Sequence, residues 1–268
     1  MENKVIWITG ASSGLGYYCA KELHSRGYKV VGGARSFSAE KHEAGFSTIY
    51  LDVSDEKSCD DFVSGALKIY GKPYALLNAA GVLHLSPGEC IATSDVFKVM
   101  DVNFLGMHRM TKRALPYMRK KSTGHIINFS SINGLFASPY QGAYSAAKHA
   151  IEGFSEALYM ELSPHNIHVT LIEAGDHRGG KAVYRLTEQN LPECYKDSYK
   201  RVVDKINHDE ASGSDPAVLA KKVARLIERK NPPFRYIIAM PSQRLSVVLQ
   251  KILPAKFFLN IISKYYGV

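Results

Sequence analysis

The sequence predicts an α/β protein: one doubly wound parallel sheet of about seven strands, with helices on both faces. Two observations carry this. Short apolar runs at 5–9, 29–33, 47–51, 74–78, 125–129, 168–172 and 235–239, most of them rich in β-branched residues, alternate with helical patterns near 14–26, 56–70, 94–120, 142–164 and 216–229. Continuous apolar runs of that length belong to strands covered on both faces, and strand–helix alternation makes them parallel. The second observation is a glycine-rich turn, Thr9-Gly10-Ala-Ser-Ser-Gly14-Leu-Gly16, where the first strand passes into the first helix.

The remaining segments are placed by their punctuation. Ser214-Asp-Pro216 is a helix-start signal, with the proline in the first turn. Residues 36–46, between the second and third strands, have room for little more than one helical turn. From 176 to 213 apolar periodicity fades and tyrosines accumulate, which suggests a lid over a site. After Pro241 the chain turns amphipathic. Leu245, Val248, Leu249, Ile252 and Leu253 fall at helical spacing, Pro254 interrupts, and Phe257, Phe258, Ile261 and Ile262 follow with lysines between them. Residues 1–268 read as a single domain with a C-terminal helical tail, which could touch a membrane surface peripherally.

Composition bounds the function. With 46% hydrophobic and 22% charged residues over 268 positions, the chain resembles an ordinary soluble globular protein. No apolar run reaches the ~18 residues of a membrane span. The first strand begins near Lys4, so a secretory leader is not expected, and a cytoplasmic location is. Cys19, Cys59, Cys90 and Cys194 lie far apart and suggest neither a zinc site nor a disulfide frame. The net charge of +9 is spread along the chain without a nucleic-acid motif, so no nucleic-acid partner is expected.

Glycines after a first strand let the backbone approach a pyrophosphate, which the helix N-terminus then attracts. Gly10, Ser12, Ser13, Gly14, Leu15 and Gly16 are therefore candidates to hold a dinucleotide. An NAD site places an acid after the second strand to bind the ribose 2′-hydroxyl. Here that strand ends Gly33-Ala34-Arg35-Ser36, with no acid before Glu40. An arginine fork suits a 2′-phosphate, so the expected cofactor is NADP(H).

Tyr144 and Lys148 stand four apart on one helix face, 13 and 17 residues after Ser131. An ammonium beside a phenol favours the phenolate and eases proton exchange near neutrality. The glycine loop, Asp52-Val53, Asn78-Ala79-Ala80-Gly81, Asn103, Ser131 and Tyr144-x3-Lys148, in this order and spacing, resemble the short-chain dehydrogenases/reductases with their Rossmann-type fold. The resemblance implies roles. Tyr144 is the general acid/base, and Lys148 holds the nicotinamide ribose and lowers the tyrosine's pKa. Ser131 binds the substrate oxygen, and Asn103 bends its helix and holds a relay water. Asp52 and Val53 flank the adenine, Asn78 to Gly81 follow the ribose and pyrophosphate, and Ala174-Gly175 close the nicotinamide end. Hydride passes directly to carbon, so no metal is needed. One departure is visible. Ala174 replaces the usual proline, and Gly179 stands where the family has a threonine, which leaves Arg178 or the backbone to hold the carboxamide.

The segments after the fourth, fifth and sixth strands read as a mainly apolar and aromatic lining, with Tyr140, Leu186 and Leu191 as substrate contacts. The stretch 144–162 is similar to the 17β-hydroxysteroid and retinol dehydrogenase branch. The favoured reading is thus an NADP(H)-dependent hydroxysteroid-type dehydrogenase acting on a small lipophilic substrate. A reductase of acyl thioesters or small ketones is the alternative, and a non-catalytic NADP(H)-binding regulator is a third. Ile151, Phe154, Leu158 and Leu162 share a helix face. That face serves either the core or a homodimer or homotetramer contact, which the family resemblance favours.

Overall fold

The computed structural model describes residues 4–37, 45–179 and 185–268. In chain order the elements are β1 (Val5–Thr9), α1 (Gly14–Ser25), β2 (Lys29–Ala34), β3 (Ser47–Tyr50), α2 (Glu56–Tyr70), β4 (Ala75–Asn78), β5 (Leu83–Leu85) and α3 (Thr93–Met100). Next come α4 (Gly106–Lys121), β6 (Gly124–Phe129), α5 (Gly142–Leu162), β7 (Ile167–Ala174), β8 (Arg185–Thr187), α6 (Glu193–Ala211), α7 (Pro216–Glu228), β9 (Arg235–Ile238), α8 (Pro241–Ile252) and α9 (Ala255–Tyr266). The main sheet is wholly parallel, in the order β3-β2-β1-β4-β6-β7-β9.

Alternation along β1 shows why the sheet needs two covers. Ile6 and Ile8 pack with α1 and α7 on one face, while Val5 and Trp7 pack with α2, α4 and α5 on the other. Trp7 is fully buried, with Phe62 and Tyr117 edge-on to it. Strand order reverses at β1, whose neighbours are β2 and β4, and a crevice opens there at the carboxyl ends of the strands. Thr9 closes its base, its hydroxyl accepting the backbone N–H groups of Ala79 and Ala80 at 3.1 Å each.

The expected strands and helices appear within one or two residues at most ends. The helix expected over 94–120 holds a π-helical turn, Asp101–Leu105, between α3 and α4. The expectation for 36–46 falls largely on 38–44, outside the described residues.

Two features differ from the sequence reading. The lid segment contains a 19-residue helix, α6, docked by Tyr199, Val202 and Ile206 onto Leu85. Those apolar positions are sparse in a charge-dense stretch, so the periodicity is hidden. The other is the pairing of β5 with β8, three residues each, joined across the fold. As expected, the tail is helical on either side of Pro254. On α5, Leu158 and Leu162 are buried in the core beneath the sheet, and Ile151 packs with Met107 and Leu171. Phe154 stacks edge-on against Phe104 and His108. The face expected to serve either core or partner therefore packs within the chain itself. No helix among the described residues is long and apolar enough to cross a membrane.

Candidate active site

A cavity of about 360 Å³ lies at the switch point. It is walled by Gly10, Ser12, Ser13, Gly14 and Leu15 after β1, Arg35 after β2, Leu51, Asp52 and Val53 after β3, and Ala79, Ala80 and Gly81 after β4. Ser131, Tyr144, Lys148, Ala174 and Gly175 complete that side. The sequence-predicted cofactor and catalytic residues thus converge, with three exceptions. Asn78 lies beneath the wall, its amide donating to Thr111 Oγ1 at 3.0 Å and Asn128 Oδ1 at 2.9 Å. Gly16 packs α1 against the Gly10 carbonyl, where a Cβ would collide. Asn103 is also behind the wall: its side chain accepts from the Val82 N–H at 2.7 Å and donates to the Val82 carbonyl at 2.9 Å. The side chain therefore holds the Val82 peptide in place. The local helix distortion expected of Asn103 is present as the π turn.

The glycine loop has the shape a pyrophosphate needs. Gly10 has φ +68°, and a Cβ there would stand 2.8 Å from Ala80 backbone atoms. Gly14 has φ +56° and open space beside it. Ser13 caps α1 in an extended conformation without a side-chain cap bond, and the first turn carries no acid to repel an anion at its N-terminus. Arg35 is exposed at the far end and makes no ion pair among the described residues. These features fit a nicotinamide dinucleotide, which when bound supplies the hydride. The loop would hold its phosphates, and Lys148 would hold the ribose at the reacting end.

Tyr144 and Lys148 lie one turn apart at the start of α5, opposite Ser131 at the end of β6. Ser131 donates to the Ala174 carbonyl at 3.2 Å and accepts from the Asn133 N–H at 3.2 Å, which locks its rotamer. Lys148 is buried, and its Nζ donates to the Phe129 carbonyl at 2.7 Å. That nitrogen is 5.5 Å from the centre of the Tyr144 ring. The protonation states differ from the sequence expectation. Burial pushes Tyr144 up to about 12, the Ser131 hydroxyl opposes that rise, and the Asp176 and Glu210 carboxylates add to it. Burial also pulls Lys148 down to about 8, against the charge of Glu152. Desolvation is the largest cause of both shifts, so the phenol is held protonated and ready to donate.

The substrate side is less apolar than expected. Tyr140, Leu186 and Leu191 do not line the cavity. Tyr140 bonds Ser198 Oγ at 2.7 Å and packs with Leu191 in the cluster that seats α6, while Leu186 pairs with His84 between β8 and β5. The wall instead contains Val82, Leu83, Ile132, Ile206 and Tyr266, together with Asp176, Arg178, Arg185, Asp209 and Glu210. Arg185 is paired with Glu210, and Asp209 is held by Lys205 at 3.0 Å and by the Tyr265 hydroxyl at 2.9 Å. Asp176 accepts from Gln243 at 2.6 Å. Burial raises its carboxyl to about 6, with Asp209 and Glu210 adding to the rise. The sequence reading missed Ile206, Asp209 and Glu210 because α6 was not recognised. It missed Tyr266 because no motif marks a residue two places from the end.

Fold and site together are those of an oxidoreductase, with a crevice suited to a nicotinamide dinucleotide beside Ser131, Tyr144 and Lys148. Residues 4–186 match the short chain dehydrogenase family. The chain belongs to that family. It is 36% identical to a 3-ketodihydrosphingosine reductase of Bacteroides thetaiotaomicron, with 100% of each chain covered. It is 31% identical to a dehydrogenase/reductase SDR family protein 7-like of Drosophila melanogaster, covering 96% of this chain and 79% of that one. Among solved structures, a short-chain dehydrogenase from Streptomyces avermitilis superposes with a TM-score of 0.82 at 26% identity, over 94% of each chain.

Proposed function

We propose that this enzyme uses NADP(H) to interconvert a ketone and a hydroxyl on a long-chain lipid carrying an amino group beside the reacting carbon. The observation that carries this reading is the Asp176 carboxylate, which lies in the same wall as Tyr144 and Ser131 and is close enough for its charge to act on the phenol. A neutral polycyclic ketone has no use for that charge. An ammonium on the neighbouring carbon does, and the substrate named for the Bacteroides relative is such an amino ketone. Asp209 and Glu210 extend the acidic side, while Val82, Leu83, Ile132 and Ile206 offer apolar surface to an alkyl chain. Arg35 in place of an acid supports NADP(H).

In the reductive direction Tyr144 donates its proton to the carbonyl oxygen, and Ser131, its O–H swung from the Ala174 carbonyl, stabilises the charge that develops there. Below its pKa Lys148 is charged and offsets the negative charge that develops at the oxygen. The hydroxysteroid reading rests on the apolar wall residues and the likeness of 144–162 to that branch, and the acyl-thioester reading on Lys181, outside the described residues, and Arg185, which is already paired with Glu210. One panel separates them: NADPH oxidation with a long-chain 2-amino-3-ketone, its N-acetyl derivative, a steroid ketone and an acyl thioester. The amino ketone should show the highest kcat/KM. A steroid ketone or thioester that outperforms it overturns the substrate assignment.

A further inference from the structure

We propose that α8 and α9 form a membrane-docking surface that seats the enzyme on an anionic phospholipid bilayer. On α8, Leu245, Val248 and Ile252 share the outward face and are 57%, 50% and 71% exposed. Phe257, in the first turn of α9, is 57% exposed. Large apolar side chains at such exposure, in one contiguous helical hairpin, leave a face without a partner in the fold. The charge on the same hairpin identifies what covers it. Residues 241–268 contain Arg244, Lys251, Lys256 and Lys264 and no aspartate or glutamate, and all four basic side chains are exposed. An apolar face rimmed only by cations is the pattern of a helix lying in the headgroup region of an anionic leaflet.

A second copy of the chain is a poor occupant. A two-fold contact would set these four cations against the same four, with no acid in either hairpin to pair them. The inner face of the hairpin adds a reason for the location. Phe258 and Ile262 pack on Phe136, and Tyr266, one turn further along α9, lines the cavity. The hairpin therefore stands between the proposed bilayer and the active site, where a lipid substrate has the shortest way in. Docking itself does not depend on the amino-ketone assignment.

The test is co-sedimentation of the full-length protein with vesicles of phosphatidylcholine alone and of phosphatidylcholine mixed with phosphatidylglycerol. Two double variants accompany the wild type: Leu245→Ser with Ile252→Ser, and Lys251→Glu with Lys256→Glu. NADPH affinity, which should be unchanged in both, reports that they fold. The wild type should pellet with the mixed vesicles, bind far less to neutral ones, and be released by salt. Each double variant should bind the mixed vesicles roughly tenfold more weakly or worse. Wild-type protein that stays in the supernatant, or that binds neutral and anionic vesicles equally, overturns the proposal. So does a vesicle-free dimer that the serine variant converts to monomer, because the face is then a protein contact.

Discussion

Asn103 grips the peptide of Val82 from both sides, accepting its N–H at 2.7 Å and donating to its carbonyl at 2.9 Å. The π turn at 101–105 aims the side chain there, and a Cβ on Gly81 would come within 3.1 Å of its Oδ1. Asn103 therefore fixes the strand end that forms the crevice wall. Replacing it with leucine strands two backbone groups and should lower stability by about 2–6 kcal/mol, given ~1–3 kcal/mol per buried unpaired group. Urea unfolding should show an earlier midpoint, and kcat should fall because Val82 and Gly81 shift.

Lys148 gives a pH signature. Burial lowers its pKa to about 8, so it is charged below that value and neutral above it. If the ammonium holds the ribose and supports Tyr144, kcat/KM for ketone reduction should be flat near neutrality and decline as pH rises through about 8. A profile measured over that range checks the sign. A rate that increases through the same interval contradicts the role.

Arg35 should decide between the two dinucleotides. Arg35→Ala should weaken NADPH binding by at least about tenfold, the effect of a lost hydrogen bond to a charged group, and leave NADH nearly untouched. Fluorescence titration with both cofactors reads this directly. A wild-type preference for NADH would refute the 2′-phosphate assignment.

Much of this was legible because the dinucleotide half is written locally. Each strand is a short, mainly apolar run followed by residues with a geometric duty, such as Gly10 after β1 and Gly81 after β4, and those duties fix residue type at fixed spacing. The four catalytic candidates were visible for the same reason, and three of them line the cavity. The substrate half depends on contacts between distant segments. Tyr199 and Leu85 are 114 positions apart, joined by a 2.9 Å hydrogen bond that seats α6, and neither residue signals the other. Tyr140, Leu186 and Leu191 looked like substrate contacts because they are apolar or aromatic near the site, but Tyr140 and Leu191 help seat α6, and Leu186 forms a strand pair. The proton affinities of Tyr144 and Lys148 were also beyond the sequence, since they follow from burial rather than from spacing.

Asp176 should control recognition of the amino group. Asp176→Asn should raise KM for the 2-amino ketone by about tenfold or more, the expected effect of losing a charged partner, and leave the N-acetyl derivative unchanged. With the wild type, the carboxyl is protonated below about 6, so KM for the amino ketone should rise as pH falls through that value. Steady-state kinetics with both ketones between mildly acid and neutral pH test both effects.

The central claim is that Tyr144 delivers the proton in a nicotinamide-dependent carbonyl reduction. Tyr144→Phe keeps the ring and its packing and removes only the hydroxyl that Ser131 faces. General acid catalysis accounts for typically ~10²–10⁴-fold, so NADPH-dependent turnover of the amino ketone should fall by at least ~100-fold with NADPH affinity nearly unchanged. A phenylalanine variant that retains near-wild-type kcat would contradict the account.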